Sequence, residues 1–207
     1  MLKYKHFIYI GAILFFIVSC NNERHSTPKP RGYFRIDLPE KQYQELQISC
    51  PYSFEYPKYS EIIQDPGQEG NPCWLNIHIP QFKGDIHISY KNVDGNIKQY
   101  IEDSRELAYK HTLKAEAIKE EMHEAPEKNV YGVLYKIKGD VASPMQFFVT
   151  DSTKHFLRGS LYFRTEPNKD SLAPIIKFVE KDIKHRIETL HGNKKESYGA
   201  YYRQNGQ

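Results

Sequence analysis

The chain has 207 residues and a formal net charge of +3, from 29 basic and 26 acidic side chains interleaved along its length. That length holds one domain with its own core and short tails. The near-balanced charge gives no electrostatic footprint for nucleic acid and excludes a DNA- or RNA-binding module. Aromatics are plentiful, with 16 Tyr, 11 Phe and one Trp. Most fall in alternating runs, where packing on a pleated surface explains them; a Tyr-rich face for a partner or glycan is the alternative.

Lys3, Lys5 and His6 form a basic start, followed by an apolar run from Phe7 to Val18 that is broken by Tyr9 and Gly11. As a helix this run spans about 18 Å, well short of a hydrocarbon core of roughly 30 Å, so it fits a signal-peptide core and not a membrane span. It stops at Ile17-Val18-Ser19-Cys20, and polar Asn21-Asn22-Glu23-Arg24 follows. A small residue directly before a cysteine, at the end of such a run, resembles the lipobox of bacterial lipoproteins; Ile17 stands where Leu is commonest. On that reading residues 1–19 are a lipoprotein signal peptide and Cys20 becomes the first mature residue, carrying a diacylglycerol and an acylated (palmitate-type) amine. Several acyl chains hold a protein on a membrane durably. The alternative is an ordinary secretory signal with an incidental cysteine.

Residues 20–32 read as a lipid-anchored linker, polar and punctuated by Pro28, Pro30 and Gly32. Its extended reach is at most about 40 Å, which keeps the following domain close to the membrane surface. With Cys20 consumed by lipid, Cys50 and Cys73 remain as a pair in an oxidising, exported compartment. A disulfide between them is expected to contribute roughly 3.5 kcal/mol through loop closure. A metal site is the weaker reading, because two isolated cysteines lack the paired spacing of a zinc module.

One domain over 33–192 follows, and 193–207 has no apolar periodicity and reads as a flexible tail. Strands are predicted at 33–38, 51–56, 73–79 and 85–91, the last two forming a hairpin across residues 80–84. Pairing Ile79 with Ile86 places Ile77 opposite Ile88 and Leu75 opposite Tyr90, and it puts Asn76–Ser89 and His78–His87 on the other face. The spacing of Ile97, Ile101, Ser104, Ala108, His111 and Ala115 predicts a helix over 97–115, with Tyr100 and Leu107 widening its stripe. Residues 116–125 are ambiguous between helix and strand. A meander over 130–139, 145–151 and 154–164 turns at Ser143-Pro144 and Asp151-Ser152. A last helix is predicted from a Ser171 N-cap, with Pro174 in its first turn and Gly192 at C′; Ile176, Val179, Ile183, Ile187 and Leu190 form its stripe. The class is α+β: a mostly antiparallel sheet flanked by helices. The order of elements resembles the Mog1/PsbP-like sandwich.

Few residues carry a chemical signal. His78 and His87, if directly opposed, have Cβ atoms about 5 Å apart and are a candidate metal pair that lacks a third ligand; a polar sheet face is the alternative. Asp103, Arg105, Tyr109 and His111 lie in one helical segment. Asp103 and His111 share a rough face without touching, and Arg105 and Tyr109 form an i,i+4 pair elsewhere. Ser104 lies between Asp103 and Arg105 without a strained nucleophile elbow. The segment is therefore a candidate partner-docking face, or simply a helix whose polar residues form caps and ion pairs. Asp140 and Asp151 sit in turns, where Asp serves local backbone hydrogen bonds. No catalytic residue and no cofactor are expected.

Several stretches are similar to the gliding motility lipoprotein GldD family of Bacteroidetes. They are Arg31-Gly-Tyr-Phe-Arg-Ile-Asp-Leu-Pro39, Cys50-Pro-Tyr-Ser-Phe-Glu-Tyr-Pro57 and Cys73-Trp-Leu-Asn76, then Tyr100-Ile-Glu-Asp-Ser-Arg105 and Ala108-Tyr-Lys-His111, and last Ser143-Pro-Met-Gln-Phe-Phe-Val-Thr-Asp151 and Arg158-Gly-Ser-Leu-Tyr-Phe163. The resemblance spans roughly 31–190. It implies lipid attachment at Cys20, a Cys50–Cys73 disulfide, and a non-enzymatic role in gliding beside other envelope lipoproteins and the type IX secretion apparatus. Glu23 is the one acid directly after Cys20, without the acidic cluster of surface-exported lipoproteins. An outer-membrane anchor with the domain facing the periplasm is therefore expected. A periplasmic enzyme or binding module for peptidoglycan or glycan is the alternative.

Overall fold

The computed structural model of the protein describes residues 36–64, 71 and 73–192. The predicted signal peptide, Cys20, the 20–32 linker and the 193–207 tail lie outside the described residues. A compact unit begins at Ile36. Its strands are β1 (Tyr43–Glu45), β2 (Tyr52–Ser53), β3 (Glu55–Pro57), β4 (Glu61–Gln64), β5 (Leu75–Ile79), β6 (Gly84–Asn92), β7 (Ala115–Ala125), β8 (Val130–Gly139), β9 (Met145–Thr150), β10 (His155–Phe163) and β11 (His191–Gly192). The helices are α1 (Ile97–Tyr109) and α2 (Lys169–Thr189).

Seven strands form one antiparallel sheet in the order β4-β5-β6-β10-β9-β8-β7, and two small ribbons pair β1 with β3 and β2 with β11. Nearly every neighbour in the large sheet is a local hairpin. The exception is β6 beside β10: the chain leaves β6 through α1, starts again at the far edge with β7, and meanders back. The β5–β6 and β7–β8 hairpins use the same turn. A 3-10 turn begins at Pro80 or Pro126, and a left-handed residue, Lys83 or Asn129, donates its N–H to that proline's carbonyl at 3.1 Å.

That turn corrects the predicted register. Gly84 already faces Ile79, so Ile77 pairs with Ile86, Leu75 with Ile88, Asn76 with His87 and His78 with Asp85. A two-residue shift keeps every side chain on its face, so separating apolar from polar residues could not distinguish the two registers. The direct His78–His87 opposition is lost.

Alternation along the strands separates two cores. On one face Leu75, Ile77, Ile86, Ile88, Phe147, Val149, Leu157 and Leu161 meet Val179, Ile183 and Ile187 of α2. On the other, Tyr135, Ile137, Phe148 and Phe156 meet Ala108 of α1, with Ile97, Tyr100 and Ile101 beside them. The architecture is thus an α+β three-layer arrangement, helix–sheet–helix. Gly159 lies opposite Phe147. A Cβ there would stand 2.2 Å from the Phe147 ring, so glycine is what lets that ring lie across β10.

Other predicted boundaries shift for physical reasons. Residues 36–38 are not strand: Ile36 packs singly on the core, and Asp37 offers its carbonyl to Gln81 Nε2 at 2.5 Å. The helix predicted to reach 115 ends at Tyr109, passes through a 3-10 turn, and leaves Leu113 97% exposed. Ala115 instead opens β7, whose whole length pairs with β8; 116–125 is strand. The last helix is capped by Asn168, whose Oδ1 accepts from the Ser171 N–H at 3.0 Å, so Ser171 and Pro174 both lie inside it. At its other end Thr189 Oγ1 donates to the His185 carbonyl at 2.8 Å, Leu190 turns extended, and Gly192 pairs with Tyr52 in place of a left-handed cap.

Two features fasten the N-terminal ribbon to this frame. Cys50 and Cys73 are joined by a disulfide, Cα atoms 5.6 Å apart, and Tyr52 Oη donates to the Cys73 carbonyl at 2.7 Å. The other is a charged cluster on α2. Fully buried Asp182 accepts from Tyr43 Oη at 2.9 Å, from Lys41 Nζ at 2.6 Å and from Tyr59 Oη. One turn on, Arg186 is 1% exposed, lies over the Phe54 ring at 5.2 Å, and its guanidinium finds no hydrogen-bond partner among the described residues. Burial presses the Arg186 pKa down to about 10, against the pull of Asp182.

Asp182→Asn leaves that guanidinium buried without compensation and is expected to cost about 3–5 kcal/mol in urea unfolding, more than joint apolar replacement of Asp182 and Arg186. Gly159→Ala overpacks the sheet against Phe147 and is expected to cost about 1–3 kcal/mol in the same measurement.

Candidate functional site

Helix α1 covers the sheet over β8, β9 and β10, and the same face of β5 and β6 continues past its edge. The alternation that buries Ile86, Ile88 and Tyr90 beneath α2 turns His87, Ser89 and Lys91 the other way. Between these side chains and α1 runs a groove of about 450 Å³. Its floor holds Asn76, His87, Ser89 and Arg158; Trp74, Phe156, Tyr100 and Leu107 form apolar walls, and Asp103 and Ser104 come from the helix.

The groove's polar groups are held to different degrees. Trp74 Nε1 donates to the Tyr90 carbonyl at 2.8 Å, which fixes the indole at the rim. His87 Nδ1 lies 2.5 Å from Asn76 Oδ1, and its ring meets Tyr162 edge-on, centroids 5.2 Å apart. Lys91 Nζ lies 4.6 Å from the centre of the Tyr100 ring. Arg158 Nη2 donates to Gln146 Oε1 at 2.6 Å, and burial draws its pKa below the ordinary guanidinium value. No carboxylate among the described residues pairs with Arg158, and Asp103 has no hydrogen-bond or ion-pair partner among them. Ser104 is 3% exposed and serves as packing more than as a presented hydroxyl.

The candidates singled out from sequence disperse. His78 Nδ1 lies 2.7 Å from Asp85, which also takes Arg164 through Nε at 2.7 Å and Nη2 at 3.2 Å. His87 joins the groove instead, and no group of three His, Cys, Asp or Glu able to hold a metal occurs among the described residues. Asp103 faces the groove. Arg105 lies 5.2 Å from the Tyr109 ring, and Tyr109 Oη donates to Glu120 of β7 at 2.8 Å, on another side of the helix. That hydrogen bond raises the Tyr109 pKa. The His111 side chain lies outside the described residues. Asp151 caps its own turn, accepting from the N–H groups of Thr153, Lys154 and His155. Asp140 accepts from the Lys169 N–H at 2.8 Å at the start of α2.

A second hollow, of about 730 Å³, lies between α2 and the β7–β8 end, over Ile137, Pro144, Met145 and Ile176. Most of its lysine rim is already spent. Lys136 binds Glu121 and Glu180, and Lys138 and Lys169 bind Glu116.

The family model described as "Gliding motility lipoprotein GldD" matches residues 23–191, nearly all of the described chain. The chain belongs to the GldD family. A comparison with curated proteins gave no match. Among solved structures, the chain is similar to the solution structure of cyanobacterial PsbP (CyanoP) from Synechocystis sp. PCC 6803, at 11% identity and a TM-score of 0.48, over 75% of this chain and 95% of that one. Membership makes the chain one of the gliding motility lipoproteins, and among the described residues no helix is long and apolar enough to cross a membrane.

Sequence reasoning missed most of this GldD groove. Trp74, Ser89, Lys91 and Arg158 sit in ordinary strand alternation, and only the strand order brings β10 beside β6. It also missed Asp182 and Arg186, for which a signal existed: with 179, 183 and 187 on the core stripe, positions 182 and 186 share that face.

Asp85 gives this face a measurable pH dependence. Burial works to raise its pKa, but hydrogen bonds from Arg164 and His78 outweigh it and hold the carboxyl below the usual range. A depressed folded pKa contributes stability above the unfolded value, near 4, that is lost as pH falls through the folded one. Asp85→Asn is expected to cost about 1–3 kcal/mol at pH 7. In urea unfolding at pH 3 its deficit against the unaltered protein should narrow.

Proposed function

We propose that this GldD-family chain is a non-enzymatic, lipid-anchored component of the gliding and type IX secretion machinery. It docks on neighbouring envelope lipoproteins and secretion components and stabilises them. The observation that carries this reading is the family match over 23–191, which opens just after Cys20. Lipid attachment at Cys20, an outer-membrane address and a domain facing the periplasm are parts of the same proposal. They are supported by the short apolar leader, the serine before the cysteine and the lack of an acidic run after it.

The spread of the sequence candidates supports a docking role over a catalytic one. His78 is engaged by Asp85, Tyr109 turns toward β7 with Arg105 over its ring, and His87 and Asp103 face the groove. The second reading, a binding module or enzyme for peptidoglycan or glycan, draws its support from that groove. A tether confines a docking domain to a plane and raises its effective concentration for equally tethered partners, so weak contacts suffice.

Deleting the gene is expected to abolish colony spreading, reduce adhesin secretion and lower the levels of partner lipoproteins. Restoring the unaltered gene should rescue all three, whereas Cys20→Ser should fail to incorporate labelled palmitate and fail to rescue. Normal spreading, secretion and partner levels in the deletion strain would overturn the assembly reading.

A further inference from the structure

The groove beside α1 holds a carboxylate, Asp103, and a mostly buried guanidinium, Arg158, and no ion pair joins them. Arg158 spends one N–H on a neutral amide, Gln146, and keeps the rest of its planar fork. A guanidinium is built for two parallel hydrogen bonds to a carboxylate, and in a partly buried site such a pair is worth more than in water. Asp103 presents a lone acid from the opposite wall. Lys91, the other cation at the rim, already lies over Tyr100. The volume, about 450 Å³, is in the range of small-ligand sites, and the aromatic walls supply apolar contact. A ligand of one sign would satisfy one wall and be repelled by the other. Only a ligand with both signs neutralises both.

We propose that this groove binds a short zwitterionic peptide, with its terminal carboxylate on Arg158 and its terminal ammonium on Asp103. Asn76, Ser89 and His87 line the floor between the two charges and offer hydrogen bonds to the peptide backbone, while Trp74 and Tyr100 flank its side chains. The site stands apart from the assembly reading and does not rest on it.

Trp74 is the one tryptophan of the chain and lies at the groove, so its emission reports occupancy directly. The experiment titrates the full-length lipidated protein in detergent micelles with trialanine, N-acetyl-trialanine and trialanine amide. A saturable change in Trp74 emission is expected with trialanine, at least about tenfold weaker when either end is blocked, as befits loss of a charge-assisted hydrogen bond. Arg158→Gln should weaken trialanine binding by a similar factor. Asp103→Asn should do the same and also erase the preference for free over acetylated peptide. Asp103 lies on the helix surface, so its variant keeps the proposal testable if Arg158→Gln fails to fold; near-UV circular dichroism reports folding of both. No saturable change at millimolar trialanine, equal binding of the blocked peptides, or undiminished binding by folded Asp103→Asn would each overturn the site. None of these outcomes bears on spreading or secretion in the deletion strain.

Discussion

The structure turns on two charges buried one helical turn apart, Asp182 and Arg186 of α2. Putting charges out of water is unfavourable by several kcal/mol each unless they are compensated. The compensation comes from the N-terminal ribbon: Lys41, Tyr43 and Tyr59 all converge on the Asp182 carboxylate. The same burial that raises the Tyr43 and Tyr59 pKa values keeps both hydroxyls protonated as donors. Helix α2 therefore cannot expose this face without stranding charge, and the ribbon cannot detach without doing the same. An apolar contact could slide; this one fixes a position.

That fixed position is passed on through the chain. The ribbon leads to Cys50, the disulfide leads to Cys73, and the next residue is Trp74, whose indole N–H is tied to β6 at Tyr90. One wall of the groove is thus held covalently to the ribbon, which in turn is latched to the opposite side of the sheet. The other wall belongs to α1, which rests on Tyr135, Phe148 and Phe156. The groove exists because a 13-residue helix covers the β8–β10 half of that face and stops short of β5 and β6.

Elements that carry their own signal were legible in the sequence. The β5–β6 hairpin, the meander and both helices announce themselves by apolar period, and the α+β class follows from their order. What escaped depends on interactions across the chain. Strand β7 has half-exposed and exposed residues on both faces, so its period is blurred, and only its ladder with β8 makes it a strand. The register of β5 on β6 is set by the 3-10 turn at Pro80, which hydrophobic patterning does not encode. Arg158 reads as one polar residue in an alternating strand; its meaning comes from lying beside Ser89 and across from Asp103. Asp182 and Arg186 fall on the core stripe of α2 by period, but the partners that make their burial tolerable come from the distant ribbon and cannot be read from the helix alone.

A rigidly walled groove and a lipid tether make a consistent physical pair. Binding the proposed short, flexible peptide costs ordering entropy on the ligand side, and a wall that must also be ordered would add to it. Here Trp74 is held before any ligand arrives, by a disulfide on one side and a hydrogen bond on the other. The affinity such a small groove can supply is modest, since a few polar contacts and short apolar walls are all it offers. Modest affinity is enough for a domain whose anchor, on the proposed reading, keeps it within about 40 Å of the membrane, because confinement raises the local concentration of anything held at the same surface. It also leaves the complex free to dissociate, which, on the proposed reading, a component of a moving machine requires more than it requires tight binding.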